Sequence, residues 1–250
     1  ATTVSAGTLQ IGAGGTLGSL STASSISVGT GASIAFNRSD TITQGVDFAS
    51  VISGAGTLLK LGSGSLVLNG ANTYTGATTV SAGTLQIGSG GTLGSIHTAS
   101  AMSVGAGAWI AFNRSNTVTQ GVDFGNVISG AGGLLKLGGG SLLLNGANTY
   151  TGATTVSSGT LQLGSGGTLG SLASTSSISL GSGALIAFNR SDTLTQGVDF
   201  GSVISGTGAV LKLGAGSLVL SGANTYSGST TVSAGTLQIG AGGTLGSIGA

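Results

Sequence analysis

The chain has 250 residues, of which only 4% are charged, with 52 glycines, no proline, no cysteine and a formal net charge of +1. Six Lys and Arg residues spread along this length leave no basic patch for nucleic acid, and the lack of cysteine excludes disulfides and thiolate metal sites. Glycine-rich chains without periodicity are disordered, but this one is strongly periodic and its mean hydropathy of +0.50 supplies apolar surface to bury.

The N-terminal Ala1-Thr2-Thr3-Val4 has neither the basic start nor the apolar core of a secretion signal, so any export signal is expected outside this segment. From there, period-two apolar alternation predicts short strands. Val4, Leu9 and Ile11 come first, then Ile26, Val28, Ile34 and Phe36, then Ile52, Leu59, Leu61, Leu66 and Leu68. Gly, Asn or Ser bounds each run, and no stretch sustains a 3.6-residue period, so helix is not expected. Val4, Leu9, Ile11, Ile34, Phe36, Leu59, Leu61, Leu66, Leu68 and their repeats form the expected interior. The longest wholly apolar run, Ala108 to Phe112, is far short of the roughly 20 residues of a membrane-spanning helix.

At Val80 the sequence begins again. Val4-Ser5-Ala6-Gly7-Thr8-Leu9-Gln10-Ile11 returns at Val80, and then, nearly unchanged, at Val156 and Val232, always at the same spacing. The chain thus reads as one continuous segment with repeats 4–79, 80–155 and 156–231 and a partial copy 232–250. Aligning Val4-Ser5, Ile26-Ser27, Ile52-Ser53 and Val80-Ser81 divides the first copy into coils 4–25, 26–51 and 52–79, and the others likewise. The expected fold is therefore all-β, a right-handed parallel β-helix (β-solenoid) with three coils per 76-residue repeat. About ten such coils at ~4.8 Å spacing make a rod about 48 Å long. A propeller is disfavoured, because blades of about 40 to 50 residues make one repeat an awkward blade and a half.

Gly7, Gly12, Gly29, Gly54, Gly62, Gly70 and Gly76 are the expected corners, with Asn37, Asn69 and Asn72 at similar bends. The charged residues Arg38, Asp40, Asp47 and Lys60 read as solvated turn residues, or as an Arg–Asp pair closing a loop between coils. An active site of the glycosidase type needs clustered carboxylates, whereas this chain has five Asp, no Glu, and sets them at distant levels. No catalytic, cofactor-binding or metal-binding residue is assigned, and no cofactor is expected. His97, Met102 and Trp109 occur only in the second copy. Met102 reads as a core replacement for Ile, and Trp109, alternating with Ile110, as outward-facing with His97 on the surface.

Residues 66–88, Leu-Val-Leu-Asn-Gly-Ala-Asn-Thr-Tyr-Thr-Gly-Ala-Thr-Thr-Val-Ser-Ala-Gly-Thr-Leu-Gln-Ile-Gly, closely resemble the autotransporter-associated β-strand repeat, and the pattern recurs at 142–164 and 218–240. The segment from Ile34-Ala-Phe-Asn-Arg-Ser-Asp to Lys60-Leu-Gly resembles the spacer of large passenger proteins. The resemblance implies a structural stalk or adhesin passenger region, displayed on the bacterial outer-membrane surface and joined to the membrane only through a translocator barrel outside this segment. It implies scaffold rather than catalysis, and a piece of a longer protein with a host or surface receptor that the residues do not name. The alternative is a self-assembling extracellular filament or matrix fibre, in which near-identical, weakly charged copies associate homotypically or end to end.

Overall fold

A computed structural model describes residues 1–48, 51–125, 127–201, 203–242 and 246–248. Among these residues the chain forms twenty-six short strands and no helix. Strand pairing is parallel throughout, each strand lying beside its counterpart one coil away, which is the pattern of a β-solenoid. Consecutive strands such as Ile52–Gly54, Thr57–Lys60 and Ser65–Leu68 fall in three different sheets, so the coil has three faces. Neighbours on one face lie two or three strands apart along the chain.

The register departs from coils that begin at Val4, Ile26 and Ile52. Thr2, not Val4, lies beside Ile26, and Val4 lies beside Val28. One ladder runs through Ile42, Leu66, Leu85, Ile110, Leu134, Thr154, Ile178 and Ile204. Three coils carry it from Ile42 only as far as Ile110, whereas Val118, the residue equivalent to Ile42 in the next copy, lies one strand further on. A repeat is therefore not a whole number of coils but three coils and one further face. The equivalent strands Ile42–Thr43, Val118–Thr119 and Leu194–Thr195 accordingly lie in three different sheets. Each copy is turned by one face relative to the copy before it.

The interior is a continuous apolar column in which Val4, Ile11, Ile34, Phe36, Leu66 and Leu68 are buried, as expected. Leu9, on the first coil, is half-buried against the column, while its equivalents Leu85 and Leu161 are fully enclosed. The inward assignment of Leu59 and Leu61 is incorrect: both are half-exposed, and Leu58 and Lys60 point inward instead. The hydrophobic run Leu58-Leu59 leaves the phase of the alternation open, and pairing of Ile34 with Leu58 and Phe36 with Lys60 fixes it. Paired rings reinforce each copy, with Phe36 and Phe48 centroids 5.0 Å apart and Phe112 and Phe124 4.7 Å apart.

Glycine serves two purposes here. Gly7, Gly12 and Gly54 adopt positive φ, as corners demand, but Gly29, Gly62, Gly70 and Gly76 do not. Gly62 is needed for close approach, since a Cβ there would lie 2.1 Å from the Arg38 carbonyl oxygen of the coil below. No described residue other than glycine has positive φ, so Asn37, Asn69 and Asn72 are not left-handed bends.

Candidate functional site

The polar groups that sequence reasoning assigned to the surface are largely structural. Lys60, Lys136 and Lys212 are each 2% exposed, contrary to the reading of Lys60 as a solvated turn residue. The aliphatic stem fills the column between Phe36 and Val80, and the ammonium reaches a corner. There Lys60 Nζ donates to the Gly62 carbonyl and, at 3.1 Å, to the Ala82 carbonyl one coil above. Lys136 and Lys212 repeat the arrangement with Gly138 and Ser158 and with Gly214 and Ala234. Burial lowers the Lys60 and Lys136 ammonium pKa to about 8, and that of Lys212 in the same direction.

Arg38 forms the pair expected as one of its two readings. Its Nε donates to Asp40 Oδ1 at 2.8 Å and its Nη2 to Asp40 Oδ2 at 2.6 Å, while Nη1 reaches the Gly18 carbonyl. Hydrogen bonding to Arg38 holds the Asp40 carboxyl below the usual carboxylate range. In the second copy Arg114 donates to Asn116 Oδ1 instead and keeps its bond to the Gly94 carbonyl at 2.8 Å. The guanidinium's constant task is thus to tie one coil to the next. Asp47, Asp123 and Asp199 each accept the backbone N–H four residues earlier, at 2.7, 2.7 and 2.8 Å, closing a tight turn. All five carboxylates are engaged in the scaffold, and no group of three or more metal-ligating side chains occurs among the described residues.

Two buried polar clusters escaped the sequence reading. Gln44, Gln120 and Gln196 are paired with Asn72, Asn148 and Asn224 across coils. Tyr74, fully enclosed, bonds Thr78 at 2.7 Å, which in turn bonds Ser100 at 2.8 Å, and burial raises the Tyr74 phenol pKa well above its ordinary value. Recurrence did not single them out: Gln44 and Asn72 return unchanged in every full copy, but so do exposed polar residues such as Gln10, Thr16 and Thr41.

The single-copy residues do not converge. Met102 is buried in the column, as expected, and Trp109 is half-exposed. The indole lies over Gly133, where any Cβ would come within 2.3 Å of the ring. The same outer-face pair is Ser33 with Thr57 in the first copy, joined by a 2.7 Å hydrogen bond, and Leu185 with Ala209 in the third. A large residue has replaced a small one over a glycine, so this is a packing exchange. His97 is half-buried beside a cleft of about 310 Å³ shared with Asn72, Thr98, Val122 and Asp123. Its Nδ1 accepts the Ala99 N–H at 3.1 Å.

Comparison with known proteins agrees with this architecture. The passenger-associated-transport-repeat family model matches residues 1–11, 58–87, 134–163 and 210–239. These matches carry Lys60, Asn72, Tyr74 and Thr78 and their equivalents, the same residues that hold neighbouring coils together. The chain is similar to a protein described as "Adhesin BmaC autotransporter" from Brucella suis biovar 1 (strain 1330), with 38% identity over an alignment 288 positions long, gaps included. That alignment covers 93% of this chain but only 8% of the relative's length. No solved structure matches. The chain thus carries four matches to the passenger-associated-transport-repeat model along its β-solenoid and is homologous to a segment of an autotransporter adhesin.

Proposed function

We propose that this segment is a non-catalytic stalk in the passenger of a bacterial surface adhesin, carried outside the cell and joined to the membrane through a translocator barrel elsewhere in the protein. One observation carries the reading: the charged side chains are spent on bonds inside the scaffold, Lys60 on Gly62 in its own turn and Ala82 one coil away, Arg38 on Asp40 in its own turn and Gly18 one coil away. A scaffold uses its few ions this way, whereas an active site keeps some of them facing substrate. The printed description of the relative as an adhesin autotransporter supports the same assignment. Receptor contact, in this reading, belongs to surfaces displayed by the stalk.

The test is immunogold electron microscopy on intact cells with an antibody against residues 1–250, alongside proteinase treatment of the same cells. Gold on thin projections, lost with proteinase, is the expected outcome. Label confined to the cell interior overturns the proposal. A second reading, end-to-end assembly into a filament, draws on near-identical copies that carry little charge. Long detached fibres in the same images favour that reading over the stalk.

A further inference from the structure

We propose that the cleft beside His97 binds a single sugar ring through two neighbouring hydroxyl groups. Ser95, Ile96, His97, Thr98, Val122 and Asp123 line an open cleft of about 310 Å³, at the small end of the range that holds low-molecular-weight ligands. His97 and Asp123 stand just before the paired strands Met102–Val104 and Ile128–Ser129, so the cleft is shared by neighbouring coils. Most of this setting recurs: the third copy has Ser171, Leu172, Ser174, Val198 and Asp199 at the equivalent positions. The imidazole does not recur, since Ser21 and Ala173 take its place.

The polar groups of the cleft have complementary hydrogen-bonding capacity to spare. His97 Nδ1 accepts the Ala99 N–H at 3.1 Å, which leaves the proton of the neutral ring on Nε2 as a donor. Asp123 Oδ2 accepts the Thr119 N–H at 2.7 Å. Among the described residues Asp123 Oδ1 has no hydrogen-bond partner, and neither have the hydroxyls of Ser95 and Thr98. His97 and Asp123 line one cleft without bonding to each other. The turns that carry them are fixed, with the Asp123 N–H on the Thr119 carbonyl at 2.8 Å and the Ser100 N–H on the His97 carbonyl at 3.0 Å. Val122, 69% exposed, adds an aliphatic edge.

A hydroxyl group answers both needs, because it accepts from an imidazole N–H while it donates to a carboxylate, and a bond to a charged carboxylate is the stronger kind. Two adjacent hydroxyls on one ring engage His97 and Asp123 together, with the Ser95 and Thr98 hydroxyls in the same cleft and the C–H face of the ring against Val122. An anion is disfavoured by Asp123, since no Lys or Arg lines the cleft. A metal ion is disfavoured because no third ligating side chain joins His97 and Asp123 among the described residues. An extended peptide needs a row of unpaired backbone groups, whereas the strands flanking the cleft are paired from coil to coil.

Saturation-transfer NMR on the purified 250-residue chain tests this with methyl α-mannopyranoside, methyl β-galactopyranoside and methyl β-glucopyranoside, whether or not the chain is a stalk. The expected result is saturable, millimolar binding of at least one glycoside that His97→Ala and Asp123→Asn each weaken about tenfold or more. His97→Ala copies the residue that the third copy already holds, and Asp123→Asn keeps an acceptor for the Thr119 N–H, so unchanged circular dichroism is expected for both. A glycoside that binds while agarose bearing the same sugar fails to retain the chain upholds the site with a free sugar as its ligand; retention upholds it with the end of a surface glycan. Absence of binding by all three glycosides overturns the proposal, as does binding that both variants leave intact. An equal signal from N-acetylglycine methylamide also overturns it, because that assigns the cleft to a peptide.

Discussion

Gln44 and Asn72, on different coils, join their side-chain amides reciprocally: Gln44 Nε2 donates to Asn72 Oδ1 at 2.6 Å, and Asn72 Nδ2 donates to Gln44 Oε1 at 3.0 Å. Asn72 Oδ1 also accepts the Ile52 N–H at 2.9 Å, and Gln44 Oε1 accepts the Gly70 N–H at 2.8 Å. The pair thus satisfies backbone groups where the chain leaves one face and enters the next, away from water that could do so. Asn72→Ala leaves the Gln44 amide and the Ile52 N–H unpaired, and is expected to cost about 2–4 kcal/mol. Urea denaturation measures this, and an unchanged midpoint refutes the role assigned to the pair.

The fold was legible because its signals agree. Period-two alternation, glycine at corners and a 76-residue repeat free of insertions all point to stacked parallel coils. Coil register was not legible, because Val4-Ser5 and Ile26-Ser27 look alike yet Val4 stacks on Val28. Only the hydrogen-bonded ladder distinguishes such similar apolar pairs. Lys60 was misplaced for a related reason: a charged residue after two leucines reads as the end of a strand, whereas its stem completes the column and only its ammonium reaches polar company.

Stability should rise with pH into the alkaline range. In the folded chain the Lys60 and Lys136 ammonium groups have pKa values lowered to about 8, against 10.5 for an unhindered lysine. Between these values the unfolded chain binds more protons than the folded one, so raising the pH favours folding. The gain begins near pH 8 and would be complete near 10.5. The buried phenols of Tyr74 and Tyr150 act oppositely, because their pKa values are raised and unfolding lets them ionise from about pH 10 upward. The urea midpoint is therefore expected to climb from pH 7.5 to a maximum near pH 10 and then fall. A flat profile between pH 7.5 and 10 contradicts the buried lysines, and the K60M/K136M/K212M variant should lose the climb while keeping the fall.

Adjacent leucines should respond oppositely to the same change. Leu58 is fully enclosed and Leu59 is half-exposed on the outer face. Leu58→Asp places an unpaired carboxylate in the apolar column and is expected to destabilise by more than about 4 kcal/mol. Leu59→Asp keeps its carboxylate at the surface and should stay near wild type. Leu68→Asp, at another fully enclosed position, should behave like Leu58→Asp. Thermal unfolding that ranks Leu59→Asp as the more damaging of the first two would invert the register of strand Thr57–Lys60.

Asp40 offers a check on how little the surface ion pair matters. Although Arg38 and Asp40 are in direct contact at 2.6 Å, the second copy places Asn116 at the same position and keeps the guanidinium in place with one bond to its Oδ1. Exposed pairs contribute little in general. Asp40→Asn should therefore leave the unfolding midpoint unchanged at both low and high salt. Gly62→Ala, one coil above, is the opposite case: its methyl group would meet the Arg38 carbonyl at 2.1 Å, and backbone has no rotamer with which to move aside. Overpacking of this kind is expected to cost about 3 kcal/mol. If Asp40→Asn proves the more harmful of the two, coil stacking at this corner depends on charge rather than on close backbone approach.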